Sequence, residues 1–339
     1  MMVFKNLKRR EFLYRSLGLM VMGILSGIFP SIMKSSHASK IDRGKLITLY
    51  NPQASDGSSG RDNVNLNEDV LREMVDEGVK AFTGMNDLKA AWTEIIPDPR
   101  KRVAIKVNCR IEGIYTKAKV VQPIIDGLIQ RGVGADNIII YDKTDTAFKW
   151  AGFVKNTGPG VKVGKVTDFG GYHRFLFNRL AKLLTGWFIS NDYKCDYLIN
   201  VPVLKALDGY AGVSLSMKNH YGSIGNPYDH HKDIMTYLSE LNDIPYIREK
   251  TRLIVLDAIF VEYNWKNGRD QRYVDVLNKI VISNDTVSID SEGWRMIEKK
   301  RKEKGIGSVT PEPVFIKRAV AMGLGTDNPE RININLGIQ

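Results

Sequence analysis

The chain has 339 residues, 43% of them apolar, with 49 Lys/Arg against 38 Asp/Glu and a formal net charge of +11. That length supports a large core in one domain or two. The two cysteines, Cys109 and Cys195, exclude a four-thiolate iron–sulfur cluster or a Cys-rich zinc site built within one chain. No block of five or six basic residues and no aromatic ladder between basic residues occurs, which argues against a nucleic-acid partner.

Residues 1–38 have the order of an export signal: Arg9-Arg10, an uncharged run from Ser16 to Met33, then the small-residue site Ser36-His37-Ala38. The string Lys8-Arg9-Arg10-Glu11-Phe12-Leu13 resembles the twin-arginine export motif, which implies the twin-arginine machinery as a partner and a periplasmic protein beginning near Ser39. An uncleaved membrane anchor is the alternative, because the run is close to the lower length limit for a spanning helix. Six Lys/Arg and one acid lie in this segment, so the remainder carries +6.

Lys45–Tyr50 predicts a strand, followed by a polar loop over 51–65. Asn67 is a helix cap, and Val70, Leu71, Met74, Val75, Val79 and Phe82 share one face before Gly84. Arg102–Asn108 reads as a buried strand, Val120, Val121, Ile124, Ile125, Leu128 and Ile129 as a helical face ending at Gly132, and Asn137–Tyr141 as a second strand; that order implies parallel pairing. After a looser Gly-rich stretch over 152–171, strands are expected at Cys195–Val201, Arg252–Asp257 and Lys279–Ser283. Helices are expected at 175–187, 234–241, 288–302 and 312–322. The basic run Lys299–Lys302 reads as the solvated end of a helix. The fold class is α/β, a mainly parallel sheet flanked by helices in a three-layer, Rossmann-like arrangement. It has no dinucleotide fingerprint, since Gly158–Gly164 is not G-x-G-x-x-G. A division into two lobes near residue 150 is the alternative to a single domain over 39–339.

In open α/β sheets, ligands bind outside the carboxyl ends of the strands. The predicted strands end in Lys106 and Asn108, in Asp142, Lys143 and Asp145, in Asn200 and Lys205, and in Asp257. Burying such groups is costly unless they are paired or bind something, and a Lys, Asp and Asn lining suits a small anionic ligand or acid/base work. The segment 216–231, with Lys218, Asn219, His220, His230 and His231, reads as a Gly- and Pro-containing loop able to fold back over that crevice. His220, His230, His231 and Asp257 offer ligands for a divalent metal. A loop with hydrogen-bonded histidines accounts for the same residues. The cysteines read as buried hydrophobes, with a single disulfide after export as the alternative.

The ordered segments Val103–Asn108, Ile138–Asp142, Asp196–Lys205, Lys218–Gly222 and Leu253–Ala258, with Asn284–Asp290 and Ala319–Gly325, resemble the domain-of-unknown-function family 362. Lys218-Asn219-His220-Tyr221-Gly222 is the most specific part. Where many members read Pro-Lys-Leu-Lys-Thr-His, this sequence has Pro202-Val203-Leu204-Lys205-Ala206-Leu207 and keeps only the second lysine. Some members carry ferredoxin-type Cys clusters. The resemblance therefore implies that any electron-transfer role here needs an iron–sulfur redox partner protein.

The expected function is an exported enzyme acting on a small anionic substrate. Lys106 and Lys205 are assigned as anion or oxyanion partners, Asp142 and Asp257 as metal ligand or general base, and His220 as acid/base or ligand. Lys218 and Asn219 are assigned as orienting donors, and Asn108 and Asn200 as substrate contacts. A non-catalytic solute-binding or accessory redox protein is the alternative.

Overall fold

The computed structural model describes residues 44–58, 65–110, 114–173, 187–188, 195–225, 227–265 and 270–337. The export segment over 1–38 lies outside them, as does nearly all of the helix expected over 175–187. Trp187 is instead paired with His173 in a two-residue ribbon. Among the described residues, no helix is long and apolar enough to cross a membrane.

The strands of the main sheet are β1 (Lys45–Tyr50), β2 (Val103–Val107), β3 (Ile138–Asp142), β4 (Lys162–Lys165) and β5 (Tyr197–Val201). They continue with β6 (Val203–Leu207), β7 (Gly212–Ser214), β8 (Thr251–Glu262), β9 (Val274–Ser283) and β10 (Glu330–Asn335). Their spatial order is β10-β1-β9-β8-β5-β2-β3-β4, with β6 beside β8 and β7 beside β6. Pairing is parallel from β8 through β5, β2 and β3 to β4, while β9 runs antiparallel to both β1 and β8. The sheet is thus mixed. Its sequence-expected strands at 252–257 and 279–283 were each only the apolar half of a longer strand, and the full lengths form an antiparallel pair across Ile254–Glu262.

Side-chain alternation, with a period of two, sends successive strand residues to opposite faces. In β8, Leu253, Val255 and Ile259 join one core cluster, while Ile254, Leu256, Ala258 and Val261 join another. Both faces are therefore buried, which explains the near-continuous apolar runs. The first face is covered by α1 (Glu68–Thr83), α2 (Leu88–Ile95) and α3 (Ala118–Arg131), and the second by α5 (Ile234–Asp243), α6 (Thr286–Glu303) and α7 (Phe315–Ala321), with the single turn α4 (Ser216–Asn219) before them in sequence. Asn67 caps α1 by accepting the Val70 N–H at 3.3 Å, and Gly84 ends it at φ 74°. The expected apolar face of α3 is right except at Ile129, which is 47% exposed on the far side of the last turn.

Arg301 departs from the solvated reading of the basic run. It is buried, ion-paired with Asp208 at 2.9 Å, and donates to the carbonyls of Tyr263, Gly307 and Ser308. These partners come from other segments, so charge pattern alone hides them. Cys109 and Cys195 are both free and buried, in core clusters on opposite faces of the sheet, and no iron–sulfur cluster forms from them.

Candidate functional site

Lys106 is the one charged side chain in Val103–Val107, and alternation puts it on the same face as Ala104. Its amine is buried and reaches three acceptors: the Val107 carbonyl at 2.5 Å, Asp142 Oδ1 at 2.7 Å and Asn219 Oδ1 at 3.0 Å. Asp142, at the end of β3, also accepts the Lys143 N–H through Oδ1 and the Cys109 N–H through Oδ2, each at 2.7 Å. A buried ion pair is tolerable only when further hydrogen bonds satisfy both ions, and here each ion has them.

The segment after β7 is not an open loop. Asp290 of α6 accepts the N–H groups of Ser216 at 2.7 Å and Met217 at 3.2 Å at the start of the single turn α4, and burial pushes its carboxyl up to about 8. That turn fixes the next residues one by one. Asn219 donates to Asn200 Oδ1 at 2.7 Å while accepting from Lys106, so it ties β2, β5 and α4 together. His220 points inward, its ring nitrogens 3.3 Å from Asn200 Nδ2 and 3.3 Å from Ser223 Oγ. Gly222 lies flat on the ion pair: a Cβ there would stand 2.4 Å from Asp142 Oδ1 and 2.5 Å from Lys106 Cε. The spacing Lys-Asn-His-Tyr-Gly therefore has a geometric reason at Asn219, His220 and Gly222.

In front of this wall is a cavity of about 490 Å³ at the carboxyl ends of β2, β3 and β6. Among the described residues, five of its lining side chains are basic, Lys106, Arg110, Lys143, Lys205 and Lys218, against one carboxylate, Asp142. Three of the lysines are held by the protein. Lys106 is bonded as above, Lys143 donates to the carbonyls of Ile224 and Gly225 at 3.1 and 2.8 Å, and Lys205 donates to Asn108 Oδ1 at 3.0 Å. Arg110 lies 5.0 Å from the Tyr228 ring centroid and donates to that tyrosine's hydroxyl. Lys218 differs from them all. Its amine makes no hydrogen bond or ion pair among the described residues and rests 4.7 Å from the Tyr221 ring centroid.

Burial and the neighbouring Lys205 and Arg110 bring Lys218 down to about 7 from the ordinary lysine value. Burial also lowers Lys205 to about 8, against the opposing pull of Glu262. His220 is held neutral, at about 3, by burial and then by Lys106. Aromatic side chains form the rim: Tyr228 stacks on His231 at 5.7 Å, and Tyr210 meets the same ring edge-on at 6.0 Å.

Of the residues expected from the sequence, Lys106, Asn108, Asp142, Lys205, Lys218, Asn219 and His231 line the cavity, while His220, Asn200, His230 and Asp257 do not. His220 and Asn200 form the wall behind it. His230 stacks on Tyr237 with ring centroids 3.9 Å apart. Asp257 instead accepts the N–H groups of Lys117, at the start of α3, and Ile259, at 3.1 and 3.3 Å; burial raises its carboxyl. Thus His220, His230, His231 and Asp257 are not gathered into a ligand set, and among the described residues no group of three or more His, Cys, Asp or Glu could hold a metal ion. Sequence reasoning missed Arg110, Tyr210, Tyr228 and Trp265 on the lining. Arg110 had a signal, two residues beyond Asn108 at a strand end. The aromatics had none.

A family model described as Domain of unknown function (DUF362) matches residues 103–295, more than half of the chain. The matched span contains every residue of the ion pair, the wall and the cationic lining. No curated protein matches the chain.

Proposed function

We propose that this chain, which belongs to the domain-of-unknown-function family 362, is an enzyme acting on a small anionic substrate at the strand ends. The observation that carries the reading is the charge of the cavity: among the described residues, five basic side chains and one carboxylate around about 490 Å³, a volume suited to a small molecule. Unlike charges attract strongly where water is excluded, so such a lining favours an anion over a neutral analogue of the same shape. Turnover is supported by Lys218, whose amine makes no hydrogen bond among the described residues and is brought down to about 7, so that it can exchange a proton with a bound molecule.

Isothermal titration calorimetry at pH 7 with acetate, lactate and phosphate, each beside a neutral analogue, tests the anion reading. Anions are expected to bind and neutral analogues not to, with affinity lowered in Arg110→Ala. Equal binding of neutral and anionic compounds, or of none, sinks the reading. Export and periplasmic location belong to the same proposal and rest on Arg9-Arg10, the apolar run and Ser36-His37-Ala38; cell fractionation with the paired arginines changed to lysines checks them.

A further inference from the structure

The lining amines of the cavity fall into two kinds. Lys106, Lys143 and Lys205 each spend donors on fixed oxygen acceptors of the protein. Lys218 spends none among the described residues and rests against the ring face of Tyr221. Its backbone is immobilised by the α4 turn, which Asp290 caps through two N–H groups, and by the Asn219 bridge to Lys106 and Asn200. An amine that is fixed, desolvated, flanked by other cations and without a hydrogen-bond partner is the arrangement that turns lysine into a nucleophile toward carbonyl carbon.

We propose that Lys218 forms a Schiff base with an anionic carbonyl compound, an α-oxo acid, whose carboxylate is held by the neighbouring cations Arg110 and Lys205. This rests on the anion-site reading above and names its substrate class. The neutral amine adds to the carbonyl carbon, and the C=O electron pair moves to oxygen, which takes a proton. The resulting carbinolamine, whose nitrogen has passed one proton to that oxygen, takes back the proton the ammonium first released and expels the oxygen as water. Overall, one ammonium and one carbonyl give one iminium and one water, so charge and atoms balance without an added oxidant or metal. The near-neutral titration of Lys218 supports the step, since at pH 7 roughly half of such an amine is nucleophilic, against roughly four ten-thousandths of an ordinary lysine.

The experiment treats the full chain with pyruvate or α-ketoglutarate and sodium borohydride, which reduces an iminium to a stable secondary amine, and maps the adduct by peptide mass spectrometry. Expected is an adduct on the Lys218 peptide at least about tenfold above every surface lysine, given that difference in neutral fraction, and about fivefold above Lys205, whose amine at about 8 is roughly a tenth neutral at pH 7. Lys218→Arg, which keeps a positive charge but cannot form the iminium, is expected to lose the adduct while Arg110 and Lys205 preserve part of the calorimetric affinity for the oxo acid. Lys218→Met, checked for folding by circular dichroism, is expected to lose it too. Calorimetric binding of pyruvate or α-ketoglutarate with no adduct on Lys218, or labelling spread evenly over the surface lysines, overturns the Schiff base and leaves the anion site standing. Absence of both binding and adduct overturns both readings.

Discussion

Replacing Lys106 by Met tests whether the wall of the cavity is held by charge. The change removes an amine that serves three acceptors at 2.5, 2.7 and 3.0 Å, while Asp142 stays buried with only the N–H groups of Lys143 and Cys109 to stabilise its charge. Removing one partner of a buried pair costs about 3–5 kcal/mol, because it leaves an uncompensated charge. That is a large fraction of the roughly 5–15 kcal/mol typical of a whole domain. Replacing both partners, as in Lys106→Met with Asp142→Asn, removes the uncompensated charge, and such double replacements are often neutral or stabilising. The expected order of stability is therefore wild type close to the double variant and the single variant well below. Urea unfolding followed by tryptophan fluorescence reads the differences, provided the slope against denaturant is unchanged. A single variant within about 1 kcal/mol of wild type, as for exposed ion pairs, refutes the argument. So does a double variant no more stable than the single one.

Three further outcomes follow from the same geometry. Gly222→Ala drives a Cβ into Asp142 and Lys106 and should cost about 1–3 kcal/mol by overpacking, lowering the thermal midpoint; an unchanged midpoint contradicts the close approach. Lys218 is lowered from its ordinary value to about 7, so between pH 7 and 10.5 the unfolded chain holds a proton that the folded chain does not. Stability should therefore rise across that window, by up to a few kcal/mol, and Lys218→Met should flatten the rise when unfolding is followed from pH 7 to 10. Cys109 and Cys195, buried and with thiols pushed up chiefly by burial, should resist iodoacetamide in the folded protein and react only after denaturation, as counted by mass.

Helix α1 and strands β2, β3 and β5 were legible because apolar periodicity reports burial directly. The lysine inside Val103–Val107 was legible for the converse reason, that a charge in a buried strand must have partners. What periodicity does not carry is direction. His220 reads as a cavity residue from its position beside Lys218, but the tight turn over His220–Ser223 rotates it to Asn200 and Ser223, into the wall behind the cavity. Strand β10 was missed because its burial alternates only weakly, as befits a strand with a partner on one side. Strands β6 and β7 escaped because β6 follows β5 after Pro202, so one apolar stretch supplies two strands, and β7 has only three residues. Asp290 and Gly222 acquire their roles only when α6 and the ion pair are brought beside the α4 turn, a long-range fact no local pattern encodes.

The division of the cavity's cations also bears on how an anion should bind. Lys106, Lys143 and Lys205 already have protein acceptors that fix them in place, so they set a positive field around the cavity, whereas Lys218 has an amine left to offer. A bound anion favours the ammonium form of Lys218 and raises its proton affinity. Binding of acetate or phosphate, which have no carbonyl open to imine formation, should then take up protons when the pH lies above about 7, where the empty site has lost them. Affinity should fall as pH rises from 7 to 9, and calorimetry in buffers of different ionisation heat should show the uptake. The same anion at about 100 times its Kd should stabilise the fold by about 2.7 kcal/mol. Lys218→Met should abolish the proton uptake while Arg110 and Lys205 preserve part of the affinity. Uptake that persists in Lys218→Met would assign the titration to another group, with Lys205, lowered to about 8, next in line.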